Sequence, residues 1–372
     1  MTLLDSYYWI GSLLGTVKEE HEKIAPLRKE ISGGEIDWEK IVKAGSSHLV
    51  LPAVYSKFKQ LVLTGILPED IREHLKYYYD LNFRRNQHIK DEIHDITVQL
   101  NSEKIAPILL KGSANLFDKV YPYLGTRIIG DIDFLVSDEV FAKTVCLIKR
   151  MGYSGIVKGC PSYYPTMKHF PRMFKPDTVA GVEIHRLPVA AKYSRNFNFK
   201  IINEAKKPLP GTLEYYTLCD AHKVIINFIH GQLNDRGNRY ALVSLRNLYD
   251  LHLLSGRVDI CQTLKNFGSY KKHAANYLQL YAKTFNRKVE GLPTPSFRAK
   301  LFLMRFNANY SSKGFYFINY IFITIFNRVS GYILTVKEAI FNPVLRNILF
   351  RKLVTPEWYF QHFKTLRNIF PK

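Results

Sequence analysis

The stretch Gly130-Asp131-Ile132-Asp133-Phe134-Leu135-Val136 reads as a β-strand that opens on acidic residues and runs into apolar ones. Residues two apart in a strand point to the same side, so Asp131 and Asp133 present two carboxylates together. Two anions held that close call for a cation between them. Mg²⁺ is the natural candidate, because it prefers a few carboxylate oxygens and completes its octahedron with water and substrate phosphates. Taken alone, a D-x-D pair is equally a solvated pair at a strand edge.

Upstream, the apolar run 105–110 stops at Lys111-Gly112-Ser113, and helical spacing resumes through 114–120. Such a junction can cradle phosphate. Gly112 removes the side chain that would hold a triphosphate away from the backbone, Ser113 can cap the helix or bond a phosphate oxygen, and the helix start supplies unpaired N–H groups. An ordinary strand-to-helix turn has the same appearance.

Downstream, 138–151 reads as an amphipathic helix ending at Gly152, and 179–187 as a further strand. Within it, Val182-Glu183-Ile184-His185 alternates so that Glu183 shares a face with His185. Glu183 is then a third carboxylate that can join the aspartate pair, as two-metal phosphoryl chemistry requires. His169 and His185 are read as hydrogen-bonded structural residues, and His222 and His230 as core packing. Strand, helix, strand, helix, strand makes an α+β core.

These motifs carry a resemblance. The order "LLKGSA", then Arg127 with "GDIDFLV", then "VEIHR" is similar to the nucleotidyltransferase superfamily built like DNA polymerase β. More closely, it resembles a poorly characterised bacterial nucleotidyltransferase family with a helical N-terminal part and K-G-x-x-L, D-I-D and E-[IL]-H motifs. The lead-in "IDWEKIVKAGSSHLVLPAVY" and the later "LRNLYDLHLL" extend the match over about residues 35 to 255. The resemblance implies a small mixed sheet with flanking helices. It also implies that Asp131, Asp133 and Glu183 are the catalytic, metal-holding carboxylates, that Lys111, Gly112, Ser113 and Arg127 bind the nucleotide, and that Mg²⁺ or Mn²⁺ serves as cofactor. The substrate would be a nucleoside triphosphate such as ATP, whose monophosphate moves to an acceptor hydroxyl or phosphate. A nucleotidyltransferase toxin acting on transfer RNA or protein is the rival enzyme reading, although such toxins carry two glycines where this chain has Gly112-Ser113.

The remaining sequence sets the organisation. Residues 1–100 are a helical region, 101–205 the nucleotidyltransferase core, 206–290 a helical region with its clearest segments at 213–229 and 239–254, and 291–372 a basic, aromatic-rich tail. Arg246 and Asp250, four apart in a helical pattern, read as a surface ion pair. The chain has 53 Lys and Arg against 32 Asp and Glu, a formal charge of +21, which favours an anionic partner. Twelve of those cations lie in 291–372 against Glu338 and Glu357, a local charge of +10. An RNA, peptide or small-molecule acceptor, or peripheral contact with an anionic membrane, fits this balance. A membrane-surface or scaffold protein that keeps only the nucleotide fold is the reading from a different class. Within the tail, "FYFINYIFITIF" is only 12 residues long, so no transmembrane helix is expected. The apolar N-terminus, interrupted by Asp5, reads as a first helix, and the widely spaced Cys146, Cys160, Cys219 and Cys261 suit a reducing cytoplasm.

Overall fold

The structure is a computed structural model that describes residues 1–156, 168–265 and 267–359. Five short strands form one mixed sheet in the order β3-β2-β1-β5-β4. They are β1 (Ile108–Leu109), β2 (Asp131–Leu135), β3 (Gly181–His185), β4 (Lys207–Pro208) and β5 (Tyr216–Thr217). β2 runs parallel to β3 and antiparallel to β1, and β1 continues parallel to β5. Helices surround this small sheet, so the α+β expectation holds.

Alternation decides which side of the sheet is sealed. Ile132, Phe134, Val182 and Ile184 point away from the acidic residues and are fully buried. The helix Asp138–Arg150 starts on two acids, ends on two bases, and buries Val145 and Ile148 between them. The 34-residue helix Glu69–Ser102 presents Ile89, Ile93, Ile96 and Leu100 at intervals of three and four, and all are buried. One continuous core runs from Tyr7 to Phe306, so the helical flanks share their apolar interior with the sheet.

Two expected helices are shortened by long-range pairing. Tyr216 donates its backbone N–H to Pro107 O at 2.9 Å and joins the sheet, so the helix expected from 213 begins at Asp220. The segment expected as one helix over 239–254 breaks at Ala241, whose φ of +52° lies in the left-handed region. The break divides it into Gly237–Tyr240 and Leu245–Ser255. Asn309 holds the break, donating to Tyr240 O and Ala241 O at 2.9 and 3.0 Å.

The tail departs further from expectation. Residues 315–326 are only the first part of a 29-residue helix, Lys313–Phe341, long and apolar enough to cross a membrane by length and composition. The apolar run understates the helix, because Asn327 and Arg328 continue it instead of ending it. It stops at Asn342, which the following Pro343 forces into an extended conformation. Among the cysteines, Cys219 and Cys261 are free, whereas Cys146 is disulfide-bonded, which the wide sequence spacing did not suggest. Cys160 and the basic residues Lys364, Arg367 and Lys372 lie outside the described residues.

Two partly buried histidines make stability pH-dependent. His48 Nδ1 accepts from the Leu245 N–H at 3.4 Å, and His252 stacks on Phe285 with ring centres 4.7 Å apart. Burial depresses their imidazoles from the ordinary 6.5 to about 4 and about 3. Below pH 6.5 the unfolded chain therefore takes up protons that the folded chain refuses. Stability is expected to fall as pH drops from 6.5 toward 4, by up to about 1.4 kcal/mol per pH unit for each histidine. Melting temperatures across that range check this, and His252→Phe should flatten the slope.

Candidate active site

β2 and β3 lie side by side with Asp131 opposite Gly181, Asp133 opposite Glu183 and Leu135 opposite His185. In a parallel pair, opposed residues present their side chains to the same face. Asp131, Asp133 and Glu183 therefore converge on one face of the sheet, with Glu183 far from the aspartates in sequence but adjacent in space. Oxygens of Asp133 and Glu183 and a nitrogen of His185 all lie within 4.8 Å of one another.

Cations hold these acids in place. Lys111 Nζ stands 2.5 Å from Asp133 Oδ1 and 3.6 Å from Glu183 Oε2. Arg172 donates to Asp131 Oδ2 at 2.7 Å and to Glu183 Oε1 at 3.2 Å, bridging the two strands. His185 Nε2 sits 2.8 Å from Asp133 Oδ1 and is wholly buried. Gly181 makes room for the arginine: a Cβ there would meet Arg172 Cδ at 2.6 Å. Lys111 itself has φ +50°, an uncommon backbone for a side-chain-bearing residue, and begins the short helix Lys111–Phe117.

The electrostatics differ among the three acids. Burial alone would raise Asp133, but Lys111 and the hydrogen bond to His185 outweigh it and hold the carboxyl far below the usual aspartate range. Glu183 is likewise pushed up by burial, yet His185 and Lys111 bring it down to about 2. Asp131 goes the other way. Burial raises it most, Arg172 opposes that, and the charges of Asp133 and Glu183 push upward again, so the net shift is up.

The cluster forms one wall of a cavity of about 330 Å³, whose other walls include Lys111, Gly112, Asn115, Lys168, Arg172 and Arg246. Burial and the neighbouring Lys111 lower the Lys168 ammonium. Burial, together with Arg127, lowers Arg246 to about 10. Anions entering this cavity would relieve the confined positive charge.

Two expected nucleotide contacts are placed differently. Ser113 is fully buried, with its hydroxyl 3.4 Å from Asp131 O beneath the strand and not on the cavity wall. Arg127 reaches the cavity, but its guanidinium is committed to Asp250 through contacts of 2.8, 2.9 and 3.1 Å. The surface pair expected between Arg246 and Asp250 is thus replaced by a buried Arg127–Asp250 pair, leaving Arg246 Nε without a hydrogen-bond partner among the described residues. His222 packs edge-on against Phe197, as expected of a core residue, whereas His230 lines the cavity and pairs with Asp235 at 3.0 Å.

Arg172 and Lys168 had no motif to announce them. The segment bearing them runs antiparallel along β3, through Phe170 N to Ile184 O at 2.8 Å and Met173 N to Val182 O at 3.0 Å. Strand alternation in "KHFPRMF", had the pairing been known, would have put Arg172 on the Glu183 face. The loop leading into β2 is fixed from outside by the Glu69–Ser102 helix. Asn82 donates to Gly125 O and Asn86 to Leu124 O, each at 2.7 Å, while Arg85 donates to Ile129 O and to Val179 O ahead of β3.

No curated protein and no solved structure matches the chain. The family described as uncharacterised nucleotidyltransferase matches residues 34–264, which spans the sheet, all three acids, the Lys111-Gly112 turn and the Arg127–Asp250 pair. With more than half of its length matched, the chain belongs to this nucleotidyltransferase family.

Proposed function

We propose that the protein transfers a nucleoside monophosphate from a nucleoside triphosphate to an acceptor hydroxyl or phosphate, with Mg²⁺ or Mn²⁺ held by Asp131, Asp133 and Glu183. The observation that carries this reading is the meeting of three carboxylates on adjoining parallel strands at the wall of a cation-lined cavity. The donor set fits such an ion, since hard carboxylate oxygens suit Mg²⁺ and Mn²⁺. A divalent ion bound there would polarise phosphoryl oxygens and neutralise their developing charge.

The remaining chemistry falls to the chain. Lys111, Lys168, Arg172 and Arg246 bind and orient the triphosphate from the cavity walls, and Gly112 leaves the backbone open to it. His185 and Lys111 keep Asp133 ionised and in one orientation. Held in line, the acceptor oxygen forms its bond to the α-phosphorus as the bond to the bridging oxygen breaks and pyrophosphate departs, a hydroxyl acceptor giving up its proton to solvent. Positioning and charge neutralisation supply most of the rate.

Purified protein with each α-labelled triphosphate, Mg²⁺ and a cell extract should move label into an acceptor, and chelation should abolish it. The labelled fraction identifies RNA, peptide or small molecule. Label transfer that survives in Asp131→Ala/Asp133→Ala would remove the site from consideration.

A further inference from the structure

The helix Lys313–Phe341 is built with its polar side inward. Asn319 and Asn327 are buried against the body. Asn319 donates to Tyr240 O at 2.8 Å and accepts from Arg305 at 2.8 Å, Thr324 Oγ1 lies 3.1 Å from Tyr240 Oη, and Tyr320 stacks on Tyr240 with ring centres 5.2 Å apart. On the opposite side, Ile318, Phe322, Ile325, Val329, Ile333 and Val336 recur every three or four residues and form one stripe. Each is between 49% and 68% exposed. A helix on a water-soluble protein keeps its apolar stripe inward and its polar face in water. Reversal leaves a contiguous apolar surface outside, which is how helices sit against lipid, with polar groups turned to the protein.

Charge selects the occupant. Segment 291–372 carries +10, with Lys313 opening the helix and Arg346, Arg351 and Lys352 following it in sequence. A second copy of the chain would bring the same positive charge against itself, whereas an anionic bilayer complements it. The helix is about 43 Å long at 1.5 Å per residue, enough to span. Its near half, however, is fastened to the body through Asn319, Thr324 and Asn327, so lipid cannot surround it.

We infer that Lys313–Phe341 lies in the plane of an anionic membrane, with its apolar stripe at the headgroup–acyl boundary and the basic segments on the phosphates, docking the protein to the bilayer surface. The inference is independent of the nucleotidyl-transfer reading.

Flotation of the full chain with vesicles tests it, using phosphatidylcholine alone or with phosphatidylglycerol added. The chain is expected to float with the anionic vesicles and to be released by salt. Phe322→Glu/Ile325→Glu, which changes only exposed positions, should weaken binding by about tenfold or more without altering the circular dichroism spectrum or melting temperature. Absence of flotation with anionic vesicles, equal flotation with phosphatidylcholine alone, or undiminished binding of the double variant would each overturn the inference. Sedimentation velocity supplies a second readout. An oligomer of the unmodified chain that the double variant dissolves, without vesicle binding, would assign the stripe to a second copy instead.

Discussion

Asp131→Asn is expected to lower nucleotidyl transfer by about 10²–10³-fold while leaving the melting temperature in chelator unchanged or slightly higher. Asp131 stands with Asp133 and Glu183 on one face of the sheet, and burial together with those two charges pushes its carboxyl above the ordinary aspartate value. A group whose folded pKa is raised opposes folding once ionised, so a neutral, isosteric amide removes that opposition at neutral pH. Arg172 keeps its contact with Glu183 in the variant. Asp133→Asn provides the contrast. Its carboxyl is held far below the usual range by Lys111 and His185, so the amide should reduce both activity and stability. Paired measurements of turnover and thermal unfolding decide the matter. A large loss of melting temperature in Asp131→Asn, or full activity in either variant, would falsify the arrangement of charge described for this cluster.

Arg127→Met should destabilise the protein by about 3–5 kcal/mol, because it leaves the Asp250 carboxylate buried without its partner. Asp250 is only 4% exposed, and the one guanidinium gives it three hydrogen bonds. Lys cannot replace it well, since an ammonium lacks the planar fork that grips both carboxylate oxygens. The double variant Arg127→Met/Asp250→Leu should recover most of the loss, since neither buried charge is then left alone. Chemical denaturation of the four proteins in a double-mutant cycle measures the coupling. A loss in Arg127→Met near zero, or a double variant as unstable as the single, would mean that the pair is not buried as described.

The site was legible where periodicity and spacing carry it. Alternation in "GDIDFLV" puts Asp131 and Asp133 on one face, and alternation in "VEIH" puts Glu183 with His185, without any knowledge of partners. The structure brings these two faces together through the register of Asp133 opposite Glu183. The sequence reads His185 as a structural histidine; only the β2–β3 pairing shows its ring reaching Asp133. Arg172 and Arg246 could not be found from spacing, since each depends on which segment packs beside it. The same limit explains Arg127, whose charge looked free for a nucleotide until the fold supplied Asp250. The placement of Ser113 has a local reason: the turn it occupies directs its hydroxyl toward Asp131 O of β2.

The length of the Lys313–Phe341 helix lay within reach of the sequence, because no proline interrupts it before Pro343. Which side of that helix turns outward did not, because the choice is made by Tyr240 and Arg239, some eighty residues away.

By itself, the sequence determined the α+β class, the strands bearing the acids, the Lys111-Gly112 turn and the excess of positive charge. These follow from local repeats of two and of 3.6 residues and from composition, which need no partner segment. Tertiary structure alone decided which cations neutralise which carboxylates, that Arg127 is bound to Asp250, and that the last long helix faces outward with its apolar side. Each of those outcomes is a contact between distant segments, fixed by strand register and packing, and pair distances of that kind leave no periodic trace in the chain.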